Sequence, residues 1–266
     1  DPLLAEAKAQ LHAEADYLLE KSWLERYRDR LGLSEIHPGA LIVPRCYPDL
    51  TTRKTLVMSY ETGTSLNQLA GQPQSIRNQV VERLFSLFFK ELFEFRMVQT
   101  DANFANFLFR EDSHQLVLLD FGATRTFPKR IANAYRDLIL GAIRNDREHI
   151  EAAISKIGFF QEQILPNQRK AVVDVFQQAC EPFSFEGCYD FQGHRLASRI
   201  REAGMHLSTR ENYWHTPPAD ALFLHRKLAG LYLLASRLGA CIDARRLFME
   251  AAEYLPRAAD SCDAGR

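Results

Sequence analysis

The chain has 266 residues, 46% of them hydrophobic, so it is long enough to bury one large core or two lobes that share a cleft. Lysine and arginine number 33 against 34 aspartates and glutamates, and the net charge of about −1 offers neither the basic excess of a nucleic-acid-binding protein nor an acidic tail. The longest apolar stretch, residues 84–95, is interrupted by Lys90, Glu91 and Glu94 and is too short and too charged to span a bilayer.

The N-terminal part of the chain predicts one helix followed by two strands. From residue 3 to residue 31, apolar side chains recur at three-to-four spacing, which indicates an amphipathic helix that Gly32 would end. The runs 40–43 and 55–60 are apolar or β-branched and are bounded by turn residues, so we expect two strands that pair antiparallel. Glu61-Thr-Gly63 follows as a turn or hinge.

A long buried helix and a small hairpin are predicted next. The segment from Ser75 to Val98 is apolar on nearly every face, which is typical of a helix at the centre of a helical domain. Residues 107–109 and 115–121 predict two short strands joined by the polar turn 111–114.

From Pro128 onward the pattern is helical. Asn145, with Glu148 three residues later, resembles a capping box. The main helices expected here are 146–157, 171–180, 221–238 and 245–254. The order of elements predicts an α+β fold, in which the back half of a small lobe precedes a complete, mainly helical large lobe.

Cysteine usage and the first residues bear on the origin of the chain. The five cysteines form no C-x-x-C pair, and their odd number without paired spacing predicts reduced thiols in a cytosol-like compartment. The chain begins with Asp1-Pro2 rather than with methionine, which indicates that it was processed or cut from a longer protein.

Two polar motifs next to the predicted hairpin carry the chemistry. Asp101 and Asn106 are five residues apart, and Asp120-Phe-Gly122 begins fourteen residues beyond Asn106. Phosphoryl transfer depends on positioning and charge neutralisation more than on covalent chemistry. Asp101 would lie near the acceptor oxygen, while Asn106 and Asp120 would hold Mg²⁺ as hard oxygen ligands. Both motifs, in this order and around a hairpin, predict the phosphate- and metal-binding half of a protein-kinase-like ATP site.

These motifs and others along the chain resemble the UbiB/ADCK family of atypical kinases, which is linked to coenzyme Q biosynthesis. The resemblance covers nearly the whole chain. Ordinary protein kinases carry His-Arg before the catalytic aspartate, where this chain has Gln99-Thr100. The segments that carry the resemblance are Gln99-Thr-Asp101 with Asn106, Leu118-Leu-Asp-Phe-Gly-Ala-Thr-Arg125, Glu14-Ala-Asp16-Tyr17 with Glu20, Leu92-Phe-Glu-Phe95, and Leu224-His-Arg-Lys-Leu-Ala-Gly230.

The resemblance implies a protein-kinase-like fold with ATP and Mg²⁺ as cofactors. Residues 1–62 would form an incomplete small lobe, from helix C to the hinge, and residues 63–266 the helical large lobe. Asp101 would be the catalytic carboxylate, and Asn106 and Asp120 would bind the metal and the nucleotide. Backbone groups of the hinge would bind adenine, and the hinge residues are Met58, Ser59, Tyr60 and Glu61.

Three acidic residues of the first helix are further catalytic candidates by resemblance. Glu20 would be the partner of the ATP-binding lysine, and Glu14 and Asp16 would be the family's E-x-D pair. On a regular helix Asp16 and Glu20 share one face, whereas Glu14 points away from it, so all three reach one metal only if the helix is irregular. The alternative is a solvated acidic face.

The resemblance further implies an atypical kinase or ATPase that supports ubiquinone biosynthesis. We expect ubiquinone-precursor lipids and coenzyme Q biosynthetic proteins as partners, and no nucleic acid. The expected location is the cytoplasm or the mitochondrial matrix side, with peripheral contact to the inner membrane.

The family's K-x-G-Q motif, Ala-rich nucleotide loop and ATP-binding lysine would all precede Asp1, so we expect an N-terminally truncated chain with impaired activity. Two alternatives stay open. One is a non-catalytic, kinase-like scaffold that binds lipid or biosynthetic partners. The other is a small-molecule phosphotransferase of the aminoglycoside or choline type, which usually carries H-x-D where this chain has Gln99-Thr-Asp101.

Overall fold

The computed structural model describes residues 16–33, 39–209, 213 and 217–253, which form a mainly helical α+β structure. The helices in these residues are α1 Tyr17–Leu33, α2 Gln74–Phe89, α3 Lys129–Ile143, α4 Arg147–Ile157, α5 Pro166–Ala179, α6 Glu181–Ser184, α7 Leu196–Thr209, α8 Ala219–Arg237 and α9 Ala244–Glu253. The strands are β1 Leu41–Ile42, β2 Thr64–Ser65, β3 Met97–Gln99, β4 Phe107–Arg110, β5 Gln115–Leu118, β6 Thr124–Thr126, β7 Tyr189–Asp190 and β8 Cys241–Ile242. The predicted fold class is confirmed.

The predicted hairpin is present and positions the motifs at its ends. Strands β4 and β5 pair antiparallel, with Phe107 opposite Leu118. The backbone N–H of Leu119 also donates to the carbonyl oxygen of Asn106 over 3.0 Å. Because Asn106 precedes β4 and Asp120 follows β5, the hairpin brings these two residues face to face.

The predicted partnership of the first two strands was wrong. Strand β1 pairs parallel with β5, and residues 55–60 instead contact 45–47. There the N–H of Tyr47 donates to Val57 over 2.9 Å, and the N–H of Ser59 donates to Arg45 over 2.8 Å. Short apolar runs do not specify which strand they pair with, so the pattern alone could not select the partner.

The central helix is buried as predicted but ends earlier. α2 passes into a π-helical turn, Lys90–Phe95, and Arg96 then adopts a left-handed conformation with φ of 52°. Met97 and Val98, predicted to be helical, lie instead in β3, which pairs antiparallel with β6. Tertiary strand pairing here overrides local helix propensity. The chain therefore leaves β3 at Gln99 and enters the Asp101 segment directly.

Two smaller expectations were also wrong. The N-cap of α4 is Asp146, whose carboxylate accepts the N–H of His149 over 3.0 Å, whereas Asn145 has a φ of 53°. The structure also joins Cys188 and Cys241 in a disulfide, although reduced thiols were expected. These cysteines are 53 residues apart and meet at the β7–β8 pair, so their spacing in the sequence gives no sign of the contact.

Helix α1 confirms the predicted first helix from Tyr17 onward and continues through Gly32 to Leu33, while Asp16 directly precedes it. The earlier part of that prediction, residues 3–15, lies outside the described residues. Within the described helices, none combines the length and the apolar character needed to cross a bilayer.

Candidate active site

Asp101, Asn106 and Asp120 meet in one cluster. The Asn106 side-chain amide donates to Oδ2 of Asp101 over 3.1 Å and to Oδ2 of Asp120 over 3.0 Å. The two carboxylates lie 19 residues apart in the sequence and are bridged by a single amide group. The three side chains predicted from spacing are thus brought together, although their chemical roles stay predictions.

Backbone contacts fix the segments that carry these side chains. The N–H of Asn103 donates to Asp101 Oδ1 over 3.2 Å, and the N–H of Gly122 donates to Asp120 Oδ1 over 2.9 Å. Thr100 ties the two segments together, since its hydroxyl donates to the carbonyl oxygen of Ala123 over 2.7 Å. Each carboxylate is therefore oriented by a backbone N–H group of its own segment.

Glu20 connects helix α1 to the Asp-Phe-Gly segment. Its buried carboxylate accepts the backbone N–H of Phe121 over 3.2 Å. On the same helix, the ring of Tyr27 packs against Phe121 with centroids 4.9 Å apart. Glu20 therefore lies next to the metal-binding candidate Asp120, and its role as a helix-C glutamate stays a prediction.

The face that Asp16 and Glu20 would share requires one regular helix through both residues, which the structure does not have; their catalytic roles stay predictions. Asp16 precedes α1, and its carboxylate accepts the N–H of Leu18 over 3.1 Å. It also lies 3.3 Å from Nε of Arg53. Since Asp16 is not within the helix, the i, i+4 geometry does not apply to the two acidic side chains. Glu14 lies outside the described residues.

The predicted hinge residues lie between β1 and β2, and the side chains of Ser59 and Glu61 make hydrogen bonds or ion pairs with nearby residues. The Ser59 hydroxyl donates to Glu61 Oε1 over 2.6 Å, and Glu61 also pairs with Arg110 of the hairpin. The Tyr60 side chain is 90% exposed, whereas Met58 packs against the core. Adenine binding by backbone groups of this segment stays a prediction.

Two cations from α8, within the segment 224–230 that carries the resemblance, reach residues 99–106, which we call the catalytic segment for their predicted role; the sequence did not indicate these contacts. Arg226 Nη2 lies 2.9 Å from Asp101 Oδ1. Lys227 Nζ donates to Gln99 Oε1 over 2.7 Å and to the Asp101 carbonyl over 3.4 Å. Helical spacing indicates that Lys227 is buried, because it lies three residues after Leu224 and four before Leu231, on the same helix face as these two buried residues. A lysine on an apolar helix face needs a buried partner.

A buried carboxylate lies beneath the same segment. Glu91 accepts a hydrogen bond from the Tyr27 hydroxyl and another, over 3.3 Å, from the N–H of Gln99. Burial raises the pKa of Glu91 to about 8, against the lowering influence of Lys227 and of the Gln99 N–H. Burial likewise lowers the pKa of Lys227, while Glu91 and Asp101 raise it. The catalytic segment thus rests on a network of ionisable groups shielded from water.

Gly230 permits α8 to approach the catalytic segment closely. A Cβ atom at this position would lie 2.8 Å from Cβ of Ala102 and 3.2 Å from the Phe104 ring. Ala102 is the neighbour of Asp101 and has no flexible side chain that could move away. The backbone of one of the two elements must therefore shift when any other residue replaces this glycine.

We expect Gly230→Ala to destabilise the protein by about 1–3 kcal/mol, the usual effect of overpacking. Gly204→Ala on α7 is the matched control, because a Cβ there meets no atom within 4 Å. Removing a helical glycine should stabilise the control by roughly 0.5–1 kcal/mol. Urea unfolding of both variants measures the difference, and equal stability of the two would contradict the close approach.

The donor set fits Mg²⁺ bound together with nucleotide phosphates. Mg²⁺ is usually held by one or two carboxylates plus phosphate oxygens rather than by an all-protein cage. Asp120 supplies such a carboxylate, and Asn106 supplies an amide whose oxygen and nitrogen can exchange places by a flip. No cluster of three or more His, Cys, Asp or Glu side chains suited to a metal occurs among residues 16–33, 39–209, 213 and 217–253.

The fold and the cluster define a protein of the protein-kinase-like class. The fold is similar to that of Rv3197 from Mycobacterium tuberculosis, solved in complex with erythromycin. The TM-score is 0.72 at 18% identity, over 94% of this chain and 61% of that one, so the likeness concerns the fold alone.

A family model described as the ABC1 atypical kinase-like domain matches residues 1–154. The chain belongs to this family, and the assignment made from its motifs is confirmed.

Among curated relatives, the chain is 34% identical to the mitochondrial atypical kinase COQ8B of Rattus norvegicus, over 91% of this chain and 44% of the relative. It is 31% identical to the mitochondrial atypical kinase COQ8 of Saccharomyces cerevisiae, over 96% of this chain and 50% of the relative. The chain spans about half the length of these relatives or less.

Proposed function

We propose that this chain carries the metal- and phosphate-binding half of an atypical kinase or ATPase site that uses ATP with Mg²⁺. The observation that carries the proposal is the single amide of Asn106 lying within 3.1 Å of the carboxylates of both Asp101 and Asp120. Two convergent carboxylates and an amide in a kinase-like fold match the charge neutralisation that phosphoryl transfer requires.

Each residue of the cluster has a separate proposed role. Asp120 and Asn106 would hold Mg²⁺, which would neutralise charge on the phosphates. Asp101 would orient the acceptor and accept its proton. Arg226 lies beside Asp101 with its side chain 55% exposed, and it holds that carboxylate in place while remaining open to solvent.

The wider biological role rests on family membership. We propose that the complete protein supports ubiquinone biosynthesis together with ubiquinone-precursor lipids and coenzyme Q biosynthetic proteins. Two relatives are mitochondrial atypical kinases, which supports a mitochondrial location; the matrix side, with peripheral contact to the inner membrane, is the finer location that we propose. We also propose the division into a partial small lobe, 1–62, and a helical large lobe, 63–266.

The non-catalytic scaffold is the second candidate, and the ion pair between Arg226 and Asp101 favours it. Both carboxylate oxygens of Asp101 are already engaged, Oδ1 by Arg226 and the N–H of Asn103 and Oδ2 by the amide of Asn106, so neither is open to an acceptor hydroxyl in this arrangement. Asp101→Asn separates the two functions, because it removes the proton acceptor while the amide keeps a similar shape.

For a catalytic site, Asp101→Asn is expected to lower ATP turnover by roughly 100-fold, within the usual range of general-base effects. Mg–ADP binding should stay within about threefold, because Asp101 is not a proposed metal ligand. Calorimetry measures binding, and single-turnover hydrolysis of radiolabelled ATP measures the reaction. Both are run on this chain and on a form extended at the N-terminus.

The exposed Asp112 provides the control variant Asp112→Asn. Mg–ADP binding without any turnover in the unmutated protein would identify the scaffold. If neither form of the chain binds Mg–ADP, the nucleotide site itself is refuted.

A further inference from the structure

A deep apolar cleft lies among the helices α3, α5, α7 and α8. Its volume is about 460 Å³, which falls within the range of roughly 300–1,000 Å³ typical of small-molecule sites. Phe88 and Leu92 line it from α2 and its π-helical turn, and Phe176 and Leu224 line it from α5 and α8. A protein interior normally leaves few voids larger than a water molecule, so a cleft of this size is a distinct feature of the helical region.

The polar groups along the wall of the cleft are neutral or already paired. Burial lowers the pKa of His225 to about 4 and raises the pKa of the Cys180 thiol to about 12. The Tyr135 hydroxyl lies 2.9 Å from Nε2 of His225, and the Tyr232 hydroxyl donates to the Ala179 carbonyl over 2.6 Å. An occupant would therefore contact hydrocarbon and aromatic surface. A polar ligand would find few hydrogen-bonding partners in the interior of the cleft, so an apolar one is favoured.

The rim of the cleft has a different character from its interior. Leu233 lines the cleft and is 60% exposed, so the apolar surface continues outward to solvent. The exposed Arg201 is the one lysine, arginine, aspartate or glutamate among the described residues that line the cleft. An apolar interior with one cation at its edge is complementary to an apolar molecule that ends in one acidic group.

We infer that this cleft is a binding site for a long-chain carboxylic acid, with the hydrocarbon chain among α3, α5, α7 and α8 and the acidic end at Arg201. The site is separate from the Asp101 cluster and does not depend on the proposed nucleotide binding. Its occupant would replace empty volume with van der Waals contacts, and the folded state would be stabilised by an amount that increases with the logarithm of the ligand concentration.

The test uses cis-parinaric acid, a polyene fatty acid whose fluorescence increases in apolar surroundings. Titration of the detergent-free chain should show saturable binding and a rise in the melting temperature. Ala197→Phe places a ring in the cleft and should weaken binding by about tenfold or more, since even one methylene group changes pocket affinity by that order. Arg201→Gln should weaken binding of the acid but not of its methyl ester.

Ala203→Phe is the matched control. Ala203 lies six residues further along α7, is partly exposed like Ala197, and lines a neighbouring polar groove instead of the cleft. It should leave affinity within about twofold, as surface substitutions usually do. Circular dichroism and thermal melts of the variants show whether each one is folded.

Four results would overturn all or part of the inference. One is the absence of saturable binding by the unmutated chain, which would show that the cleft does not bind the fatty acid. Another is an equal effect of Ala197→Phe and Ala203→Phe. The third comes from sedimentation velocity: if the unmutated chain is a dimer that Ala197→Phe converts to a monomer, a second copy of the chain covers the cleft. An unaltered affinity of Arg201→Gln for the acid would refute the acidic end.

Discussion

Replacing Asp120 with asparagine is expected to weaken Mg–ADP binding by roughly 100-fold or more, because even indirect partners of a metal typically account for 10–100-fold in affinity. Asparagine has nearly the shape of aspartate, and its side-chain oxygen can still accept the N–H of Gly122, which Asp120 accepts over 2.9 Å. The change therefore removes the charge without removing the turn. Calorimetric titration with ADP, in the presence of Mg²⁺ and of EDTA, measures the effect.

The metal dependence distinguishes loss of a ligand from loss of the fold. If Asp120 holds Mg²⁺, the variant should bind ADP equally weakly with and without the metal, while its urea unfolding curve stays close to that of the unmutated protein. Undiminished Mg–ADP affinity in Asp120→Asn would remove Asp120 from the site. A matching loss of affinity in Asp112→Asn would show that the effect is not local.

Replacing Glu91 with glutamine is expected to change how stability depends on pH. The pKa of Glu91 is raised from 4.5 to about 8 in the folded protein. Below pH 4.5 both the folded and the unfolded states hold the proton, and the contribution to stability is complete. As the pH rises towards 8, only the unfolded state loses its proton, so stability falls by up to about 1.4 kcal/mol per pH unit.

Glutamine cannot lose that proton, so Glu91→Gln should remove most of this slope between pH 5.5 and 7.5. Burial lowers the pKa of Lys227, and a depressed lysine pKa adds stability with rising pH, which is opposite in sign to the effect of Glu91. Urea unfolding at both pH values measures the slopes. Glu94→Gln, at an exposed position three residues further on, should leave the slope unchanged. Equal slopes in the Glu91→Gln variant and the unmutated protein would contradict a protonated Glu91.

Features that depend on residues close together in the sequence could be predicted, whereas features that depend on distant residues could not. The central helix, the hairpin and the cluster of Asp101, Asn106 and Asp120 depend on contacts within a short stretch of chain, and spacing indicates them. The partner of β1 does not, because a two-residue strand carries too little pattern to choose between neighbours. The contacts of Asp16 were not predicted for a related reason, since its carboxylate lies 3.3 Å from Nε of Arg53, which is 37 residues away in the sequence.

The support of the catalytic segment was the largest omission. Lys227 reaches Gln99 across 128 residues of sequence, and Arg226 reaches Asp101 across 125. No local pattern records such contacts. The burial of a lysine on an apolar helix face could have indicated that a partner exists, but not which residue it is.

The contact between Gln99 and Lys227 restricts how this chain can diverge. Gln99 stands where ordinary protein kinases carry histidine, and its amide oxygen is 2.7 Å from the Lys227 ammonium group. Exchange of Gln99 alone leaves the buried Lys227 with only its longer, 3.4 Å contact to the Asp101 carbonyl, and exchange of Lys227 alone leaves the buried oxygen of Gln99 without this donor, so either single step is unfavourable. The two positions are therefore epistatic, and a lineage that exchanges one of them must pass through a less stable intermediate unless the other changes with it.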